Sequence, residues 1–286
     1  MNGILVINKP KGYTSRDIVN IATKVLGTKK IGHTGTLDPM AEGVLVLCVG
    51  QALKICELLT NHTKEYRAGI TLGIETDTLD MEGNILSTLP VDIEKSTILK
   101  TVNSFQKTYL QEVPAYSAVK VNGKKLYEYA RNIQPVVLPK KEVTIEKIAI
   151  IDGIVKDNDT IKFTIACHVS KGTYIRSLAR DIGASLGVPA ILHSLTRTTQ
   201  GNFSLKDAIT LEDLKKGHYK LQNIKDAFPD IPTKTVDGQE LFRIKNGVPV
   251  DKFIDNDMYF IEDREKNLIA LYKNDEFKAR VYKMFN

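Results

Sequence analysis

Cysteine is scarce in this sequence, and long apolar runs are absent from it. The three cysteines, Cys48, Cys56 and Cys167, form no CxxC pair, and their odd number argues against a disulfide framework. We therefore expect buried thiols in a reducing cytoplasm. No apolar stretch reaches the roughly 18 residues of a membrane-spanning helix, so the sequence predicts no membrane partner.

Metal, nucleotide and serine-hydrolase chemistry also lack their usual motifs. The acidic stretch TDTLDMEGN misses the alternate-residue ligand spacing of a calcium loop, and it predicts a solvated hairpin instead. There is no GxxxxGK[ST] phosphate loop, and the one GxSxG match, GASLG at 183–187, lies at the end of a predicted helix rather than at a strand-to-helix elbow. The histidines lie far apart without an HExxH motif, at His33, His62, His168, His193 and His218. The sequence therefore predicts no metal site.

The charge of the chain is modestly basic. The formal net charge is +6, and residues 231–286 contain ten basic and ten acidic side chains, so residues 1–230 carry the whole excess. Such an excess favours a polyanionic partner such as nucleic acid, although a basic surface also serves solubility.

Hydrophobic periodicity predicts a mixture of strands and helices. Alternating or short apolar runs indicate strands at GILVI, GVLVLCV, KEYRAGITLG and TIKFTIACHV. A helix is predicted at Arg16–Leu26, with a capping box at Thr14–Asp17 and Gly27 as its end. Apolar residues at helical spacing indicate further helices around 98–105 and within 170–187. The irregular order predicts an α+β fold with a mixed, largely antiparallel sheet flanked by helices.

The last part of the chain has a different character. FPDIPTKTVDG contains two prolines and a glycine, and it predicts a linker. Beyond it, MYFIE, NLIALYKN and ARVYKMF are short apolar runs separated by polar turns. We therefore expect one large domain at 1–230 and a small all-β module at 231–286, which would depend on the large domain for its stability.

One carboxylate stands out by its position. Asp38 lies in the middle of GHTGTLDPMAEG, a loop rich in glycine and threonine. Aspartate serves as a covalent nucleophile where oxygen must attack an electrophilic carbon, as in glycosidases. A glycosidase normally pairs two carboxylates, and the only other acid of this loop is Glu42. A plain Asp38–Pro39 turn is the alternative, and for the loop taken alone it is the favoured one.

Six motifs, in one order from about residue 3 to residue 205, resemble the bacterial tRNA pseudouridine-55 synthases, the TruB family. GHTGTLDPMAEG resembles the family's aspartate motif, and CHVSKGTYIRSLARDIG resembles its arginine-bearing helix entry. The other four are NKPKGYTS, KEYRAGITLGIETDTLDMEG, VPAYSAVKVNGKKLYEYAR and LTRTTQGNF. The resemblance implies the pseudouridine synthase fold, followed by a small PUA-like RNA-binding tail at 231–286.

The resemblance also implies a cofactor-independent isomerisation. The enzyme would detach the uracil of the T-loop uridine at tRNA position 55 from its ribose, rotate it and reattach it through C5. Asp38 matches the family's nucleophile, and Arg176 matches the arginine that keeps this carboxylate ionised and oriented. Tyr66 matches the tyrosine that packs on the uracil, and Tyr174 and Leu195 match positions that line the base pocket. Whether the carboxylate attacks the ring or the sugar stays open.

Recognition of the tRNA would require the target base to be flipped out of its stack. His33 matches the family residue that enters the vacated space. An RNA-facing insertion is expected at about 100–140, where basic and aromatic residues would contact phosphates and stack on bases. The candidates for these contacts are Lys9, Lys120, Lys124, Lys125 and Arg131, interleaved with Tyr116, Tyr127 and Tyr129. The alternatives are that His33 is an ordinary solvent-exposed loop histidine and that the basic and aromatic run is a charged, solvated helix face.

These matches predict a cytoplasmic, monomeric enzyme that acts on the T-arm of tRNA without a protein partner. Glu42 departs from the family, which usually has a small hydroxyl residue there, and the C-terminal module is short and neutral.

A catalytically idle tRNA-folding protein is one rival function, but it would not need Asp38, Tyr66 and Arg176 together. A synthase of a guide-RNA complex is disfavoured by the lack of long basic tails. A glycosidase-like hydrolase requires a second catalytic carboxylate.

Overall fold

The computed structural model describes residues 1–252 and 255–285, within which seventeen strands form four sheets. In chain order the strands are β1 (Gly3–Lys9), β2 (Ile31–His33), β3 (Glu42–Val49), β4 (Lys64–Leu72), β5 (Ile74–Thr76), β6 (Ile85–Thr88), β7 (Thr108–Glu112), β8 (Lys120–Val121), β9 (Lys124–Lys125), β10 (Lys140–Asp157), β11 (Thr160–Val169), β12 (Ala190–Gln200), β13 (Phe203–Ser204), β14 (Thr233–Thr235), β15 (Met258–Glu262), β16 (Leu268–Asn274) and β17 (Ala279–Met284).

Seven α-helices connect these strands within the same residues. They are α1 (Ser15–Leu26), α2 (Cys56–Thr60), α3 (Lys95–Ser104), α4 (Leu126–Arg131), α5 (Ile175–Ser185), α6 (Leu211–Lys215) and α7 (Gly238–Lys245). Over the described part of the chain, no helix is both long and apolar enough to cross a membrane.

The largest sheet contains nine strands and carries the candidate site. Its path is β1-β3-β12-β4-β11-β10-β7, with β2 paired to β3 and β13 paired to β12. Neighbouring strands are antiparallel except β3 and β12, which are parallel and place Gly43 opposite Arg197. A Cβ at Gly43 would lie 2.2 Å from the Arg197 carbonyl oxygen, so this crossing requires glycine. The predicted mixed, largely antiparallel sheet flanked by helices is confirmed.

The predicted helix ends follow from local side-chain chemistry. Helix α1 begins with the expected capping box, because Thr14 accepts from the Asp17 N–H and Asp17 accepts from the Thr14 N–H. It ends at Gly27, which adopts a left-handed conformation with φ 61°. Helix α5 ends shortly before Gly187, which has φ 75°. The apolar residues of both helices belong to one core cluster, which also contains residues of β4, β11 and β12.

Strand β10 was not predicted, although it is the longest strand. Its register with β11 is interrupted between Ile145 and Lys147, between Ile150 and Asp152, and again before Val155. Each irregularity changes which face a following side chain points to, so a strict two-residue period is lost. Most of its residues are also exposed, which removes the apolar signal.

The C-terminal residues form the predicted small sheet, in the order β14-β15-β16-β17. Two details differ from the sequence analysis. The predicted linker contains β14, which pairs in parallel with β15, and helix α7 makes the module α+β rather than all-β. Phe260, Leu271 and Phe285 of this module share an apolar cluster with Ile4 and Val46 of the large sheet. The small sheet is therefore packed against the large one, as its size requires.

Candidate active site

The loop that carries Asp38 connects β2 to β3 and is held by the start of α1. The Ser15 hydroxyl accepts from the Leu37 N–H at 2.8 Å and lies 3.2 Å from the Leu37 carbonyl oxygen. The Gly12 N–H donates to the Pro39 carbonyl at 2.8 Å. The first two motifs of the sequence, NKPKGYTS and GHTGTLDPMAEG, thus contact each other on either side of Asp38.

Arg197 supports the same loop from β12. Its Nε donates to the Val44 carbonyl at 2.7 Å, its Nη2 to the Gly35 carbonyl at 3.0 Å, and its Nη1 lies 3.4 Å from the Thr36 carbonyl. The side chain is fully buried, and these three carbonyl oxygens engage each of its three nitrogens. The sequence analysis did not assign a function to Arg197, although it is the arginine of the LTRTTQGNF motif.

Arg176 and Asp38 are brought together as the resemblance implied. Arg176 Nε lies 2.9 Å from Asp38 Oδ2, and the arginine side chain is 6% exposed while the aspartate side chain is 35% exposed. Arg176 Nη1 donates to the Thr78 carbonyl at 2.9 Å, and Nη2 donates to the Tyr116 carbonyl at 3.0 Å. All three guanidinium nitrogens are therefore engaged, which fixes the cation beside a carboxylate that remains open on one side.

Asp80 is a second carboxylate at Arg176 that the sequence analysis missed. The predicted hairpin is present as β5 and β6, but the prediction that it is solvated is wrong for Asp80, which is buried. Its Oδ1 accepts from the Thr78 hydroxyl at 2.6 Å and from the Glu82 N–H at 3.1 Å, and its Oδ2 lies 3.8 Å from Arg176 Nη1. These partners compensate for the burial of its charge.

Tyr66 lies on the central strand β4, between Cys167 of β11 and Arg197 of β12. Burial raises the pKa of its phenol, an effect that Arg197 opposes and the Asp38 carboxylate reinforces. The phenol is therefore protonated at neutral pH. Leu195 is two residues before Arg197 on β12 and is also buried.

Tyr174 occupies the residue before α5, two positions before Arg176. It is half-buried, and burial raises the pKa of its phenol. Its pKa also responds to Arg176, which lowers it, and to Asp38, which raises it. Tyr174 therefore lies close enough to the Asp38–Arg176 pair to feel the charges of both residues.

His33 ends β2 and is half-buried. Burial lowers its pKa, and the nearby Arg16 and Arg197 lower it further, so the ring is neutral at pH 7. Its Nδ1 atom is buried without a hydrogen-bond partner among residues 1–252 and 255–285. A neutral, planar ring at this loop is compatible with stacking on a base.

Lys9 requires a correction. The side chain is fully buried, and its ammonium group donates to the Pro10 carbonyl at 3.0 Å and the Tyr13 carbonyl at 2.6 Å. Burial lowers its pKa to about 8, although Asp38 opposes this effect. A fully buried ammonium cannot contact a phosphate at the surface, so the predicted phosphate contact of Lys9 is wrong.

The insertion forms the β8–β9 hairpin and helix α4, and it presents the predicted basic residues to solvent. Lys120, Lys124 and Arg131 are exposed. Lys124 lies 6.0 Å from the ring centre of Tyr129, and Arg131 lies 5.3 Å from that of Tyr127. These cation–π contacts arrange the basic and aromatic groups side by side.

Glu42, at the start of β3, is exposed and faces solvent. Its carboxylate accepts a hydrogen bond from the Thr196 hydroxyl at 3.1 Å.

Two family models match consecutive parts of the chain. The N-terminal domain of the TruB family pseudouridylate synthases matches residues 23–175, and the C-terminal domain of tRNA pseudouridylate synthase B matches residues 176–230. Strand β12 of the second part inserts between β3 and β4 of the first part, so the two matched parts share one sheet.

Curated proteins that are similar to this chain carry the name of the same family. A tRNA pseudouridine synthase B of Bacillus subtilis is 49% identical over 217 residues, covering 75% of this chain and 70% of that protein. Proteins with the same name from Staphylococcus aureus strain Newman and Staphylococcus saprophyticus are 41% and 38% identical. Each of these alignments covers 100% of this chain and 99% of the relative.

Solved structures show the same fold at lower identity. A chain of an H/ACA ribonucleoprotein bound to a substrate RNA containing 2′-deoxyuridine has a TM-score of 0.70 and 22% identity. A chain of a Cbf5–Nop10–Gar1 complex has a TM-score of 0.70 and 23% identity. Both matches cover 99% of this chain and 85% of the other. From its sequence and its fold, the chain belongs to the TruB family of pseudouridylate synthases.

Proposed function

We propose that this protein converts uridine to pseudouridine at position 55 in the T-loop of tRNA. The observation that carries the proposal is the Asp38–Arg176 ion pair, in which a buried, fully engaged guanidinium holds a partly open carboxylate. The relatives named tRNA pseudouridine synthase B support tRNA as the substrate. No protein partner is required, and the enzyme acts as a monomer in the cytoplasm.

Asp38 is the nucleophile in this proposal. Its open side receives the target nucleotide, while Arg176 holds the carboxylate in place. The N1–C1′ bond breaks, a C5–C1′ bond forms, and the proton on C5 is lost while N1 gains one. Nothing is oxidised or reduced, so the reaction needs no cofactor. Attack on the ring and attack on the sugar are both compatible with this geometry.

The surrounding residues hold the base. Tyr66 packs on the uracil and takes part in the proton transfer from C5, and Tyr174 and Leu195 line the pocket. Base flipping costs a few kcal/mol, and His33 offsets part of this cost by stacking in the vacated space. Lys120, Lys124 and Arg131 would contact the phosphates of the T-arm, with the tyrosines of the insertion as stacking partners; their exposure is required for this role.

The proposal is tested by comparing the protein with Asp38→Asn on an unmodified tRNA transcript without added metal or cofactor. Tritium release from C5-labelled uridine and mapping of the modified position measure turnover, and binding is measured at two salt concentrations. Asp92→Asn is the matched control, because its side chain is 96% exposed. We expect turnover at position 55 by the parent and the control, and tRNA binding without turnover by Asp38→Asn. Binding without turnover by the parent would instead indicate a tRNA-folding protein.

A further inference from the structure

The N-terminal end of α5 carries two residues of the candidate site but has no side-chain cap. Tyr174 occupies the N-cap position, and its side chain accepts no hydrogen bond from the first turn of the helix. Ser, Thr, Asp or Asn usually supplies this contact and sets where a helix begins. The position of Tyr174 and Arg176 is therefore determined by contacts from outside the helix.

Gln111 of β7 makes one such contact, to the main chain of the N-cap residue itself. Its side chain is buried, its Oε1 accepts from the main-chain N–H of Tyr174 at 2.8 Å, and its Nε2 donates to the Tyr109 hydroxyl at 2.8 Å. The amide cannot be reversed, because its NH₂ group would then face the Tyr174 N–H. The two contacts therefore fix a single orientation of Gln111.

The hydrogen-bond chain continues to the middle of α5. The Tyr109 hydroxyl donates to Asp181 Oδ2 at 3.1 Å, and Asp181 Oδ1 accepts from Arg180 Nη2 at 2.8 Å. Burial raises the pKa of Tyr109, and Asp181 raises it further, so the phenol keeps the proton that it donates. Strand β7 is thus connected to the start and to the middle of the helix.

The last residue of β7 and the loop after it connect this network to Arg176. The Glu112 carbonyl accepts from the Ser177 hydroxyl at 2.8 Å, and the Tyr116 carbonyl accepts from Arg176 Nη2 at 3.0 Å. A shift of β7 relative to α5 would therefore move the main chain that carries Arg176 and also one acceptor of its guanidinium.

We propose that Gln111 is a positioning residue that fixes the main chain at Tyr174 and thereby keeps Arg176 in contact with Asp38. It does not touch the carboxylate. The expected effect of Gln111 on the rate of pseudouridine formation rests on the proposed function. Its expected effect on the distance between Arg176 and Asp38 does not.

The first test is single-turnover kinetics with Gln111→Met, which preserves the length of the side chain but cannot accept the Tyr174 N–H. We expect the rate constant to fall at least about tenfold, since small misplacements in a site have large effects. The Kd for tRNA should stay within about twofold, because the basic surface of the insertion is not part of this network. Tyr109→Phe should have a smaller effect, because it leaves the contact between Gln111 and the Tyr174 N–H in place.

Gln111→Glu supplies a readout that general loss of stability does not change. A neutral carboxylic acid can accept from Tyr174 and donate to Tyr109, whereas the ionised form can only accept. Burial raises the pKa of such an acid. We therefore expect near-parental rates for this variant below about pH 6, and rates that fall relative to the parent as the pH rises to about 8.

A crystal structure of Gln111→Met tests whether Gln111 keeps Arg176 in contact with Asp38. We expect the separation of Arg176 Nε from Asp38 Oδ2, 2.9 Å in the parent, to increase beyond about 3.5 Å. An unchanged separation together with a parental rate would overturn the proposal, and so would equal losses of rate, tRNA binding and melting temperature. If the parent does not convert uridine, the proposed function fails, and this crystal structure still decides the role of Gln111.

Discussion

Arg176 Nε lies 2.9 Å from Asp38 Oδ2, and the two partners differ sharply in exposure, with 6% for the arginine side chain and 35% for the aspartate side chain. The cation is held by the protein, while the carboxylate remains accessible on one side. Such an arrangement orients a charged nucleophile without covering it.

Arg176→Lys should abolish most of the turnover. A lysine has one ammonium group, which cannot reach Asp38 and the carbonyls of Thr78 and Tyr116 in the fixed geometry of a guanidinium. We expect a single-turnover rate lower by about 10²–10³-fold, with the Kd for tRNA changed less than threefold. The control is Arg264→Lys, whose side chain is 78% exposed. A rate for Arg176→Lys within threefold of the parent would contradict the role given to the guanidinium.

Arg197→Met should destabilise the fold as well as the catalytic loop. The carbonyls of Gly35 and Val44 would lose their partner inside the protein, and each unsatisfied buried group costs about 1–3 kcal/mol. We expect the free energy of unfolding in urea to fall by about 3 kcal/mol. Arg67→Met is the control, because Arg67 forms an exposed ion pair and should change stability by less than about 1 kcal/mol. Equal losses in both variants would rule out a special role for Arg197.

The buried Lys9 predicts a pH dependence of stability. Its folded pKa of about 8 lies below the ordinary 10.5, so between these values the unfolded state binds more protons and stability rises with pH. The contribution should be about 1–2 kcal/mol between pH 7.5 and 9.5. Lys9→Met removes it, and comparison with the parent at both pH values separates it from the titration of tyrosines and cysteines. A difference in unfolding free energy that is equal at both pH values would show that the Lys9 pKa is not lowered.

Glu262 should connect the small sheet to the large domain. It is buried and accepts hydrogen bonds from Lys225, Lys266 and Thr235. Burial alone would raise its pKa, but these partners outweigh burial and lower it to about 2. Its contribution to stability is therefore present above about pH 4.5 and is lost as the pH falls through about 2.

The test of this connection uses Glu262→Gln and limited proteolysis at pH 7. We expect faster cleavage between the large domain and the small sheet, because a neutral amide cannot compensate for the partly buried ammonium group of Lys225. Glu265→Gln, an exposed neighbour on the same turn, is the control. Identical cleavage of both variants would argue against Glu262 as a connection.

Binding of tRNA should distinguish the exposed lysines from Lys9. Each phosphate contact removed lowers the slope of log K against log salt concentration by about one. We expect this change for Lys124→Ala and for Arg131→Ala, which alter exposed side chains, but not for Lys9→Met. Filter binding between 50 and 200 mM salt measures the slopes. An unchanged slope in Arg131→Ala would remove that residue from the phosphate contacts.

Local signals predicted much of the fold. The capping box at Thr14–Asp17, the left-handed Gly27 and the alternating residues of β4 are interactions between neighbours in the chain, and each was visible in the sequence. Strand β10 and the short strand β14 were missed, because bulges interrupt the first and prolines and polar residues surround the second. Their pairing depends on partners that lie elsewhere in the sequence.

The sequence by itself determined the main helices, the alternating strands and, through the TruB motifs, the prediction that Asp38 and Arg176 belong to one site. Only the tertiary structure decided that Lys9 is buried, that Asp80 contacts Arg176 and that Gln111 binds the main chain at the start of α5. The physical reason is that burial and hydrogen-bond partners depend on residues far apart in the chain, which come together only when β12 inserts between β3 and β4 and β7 packs against α5.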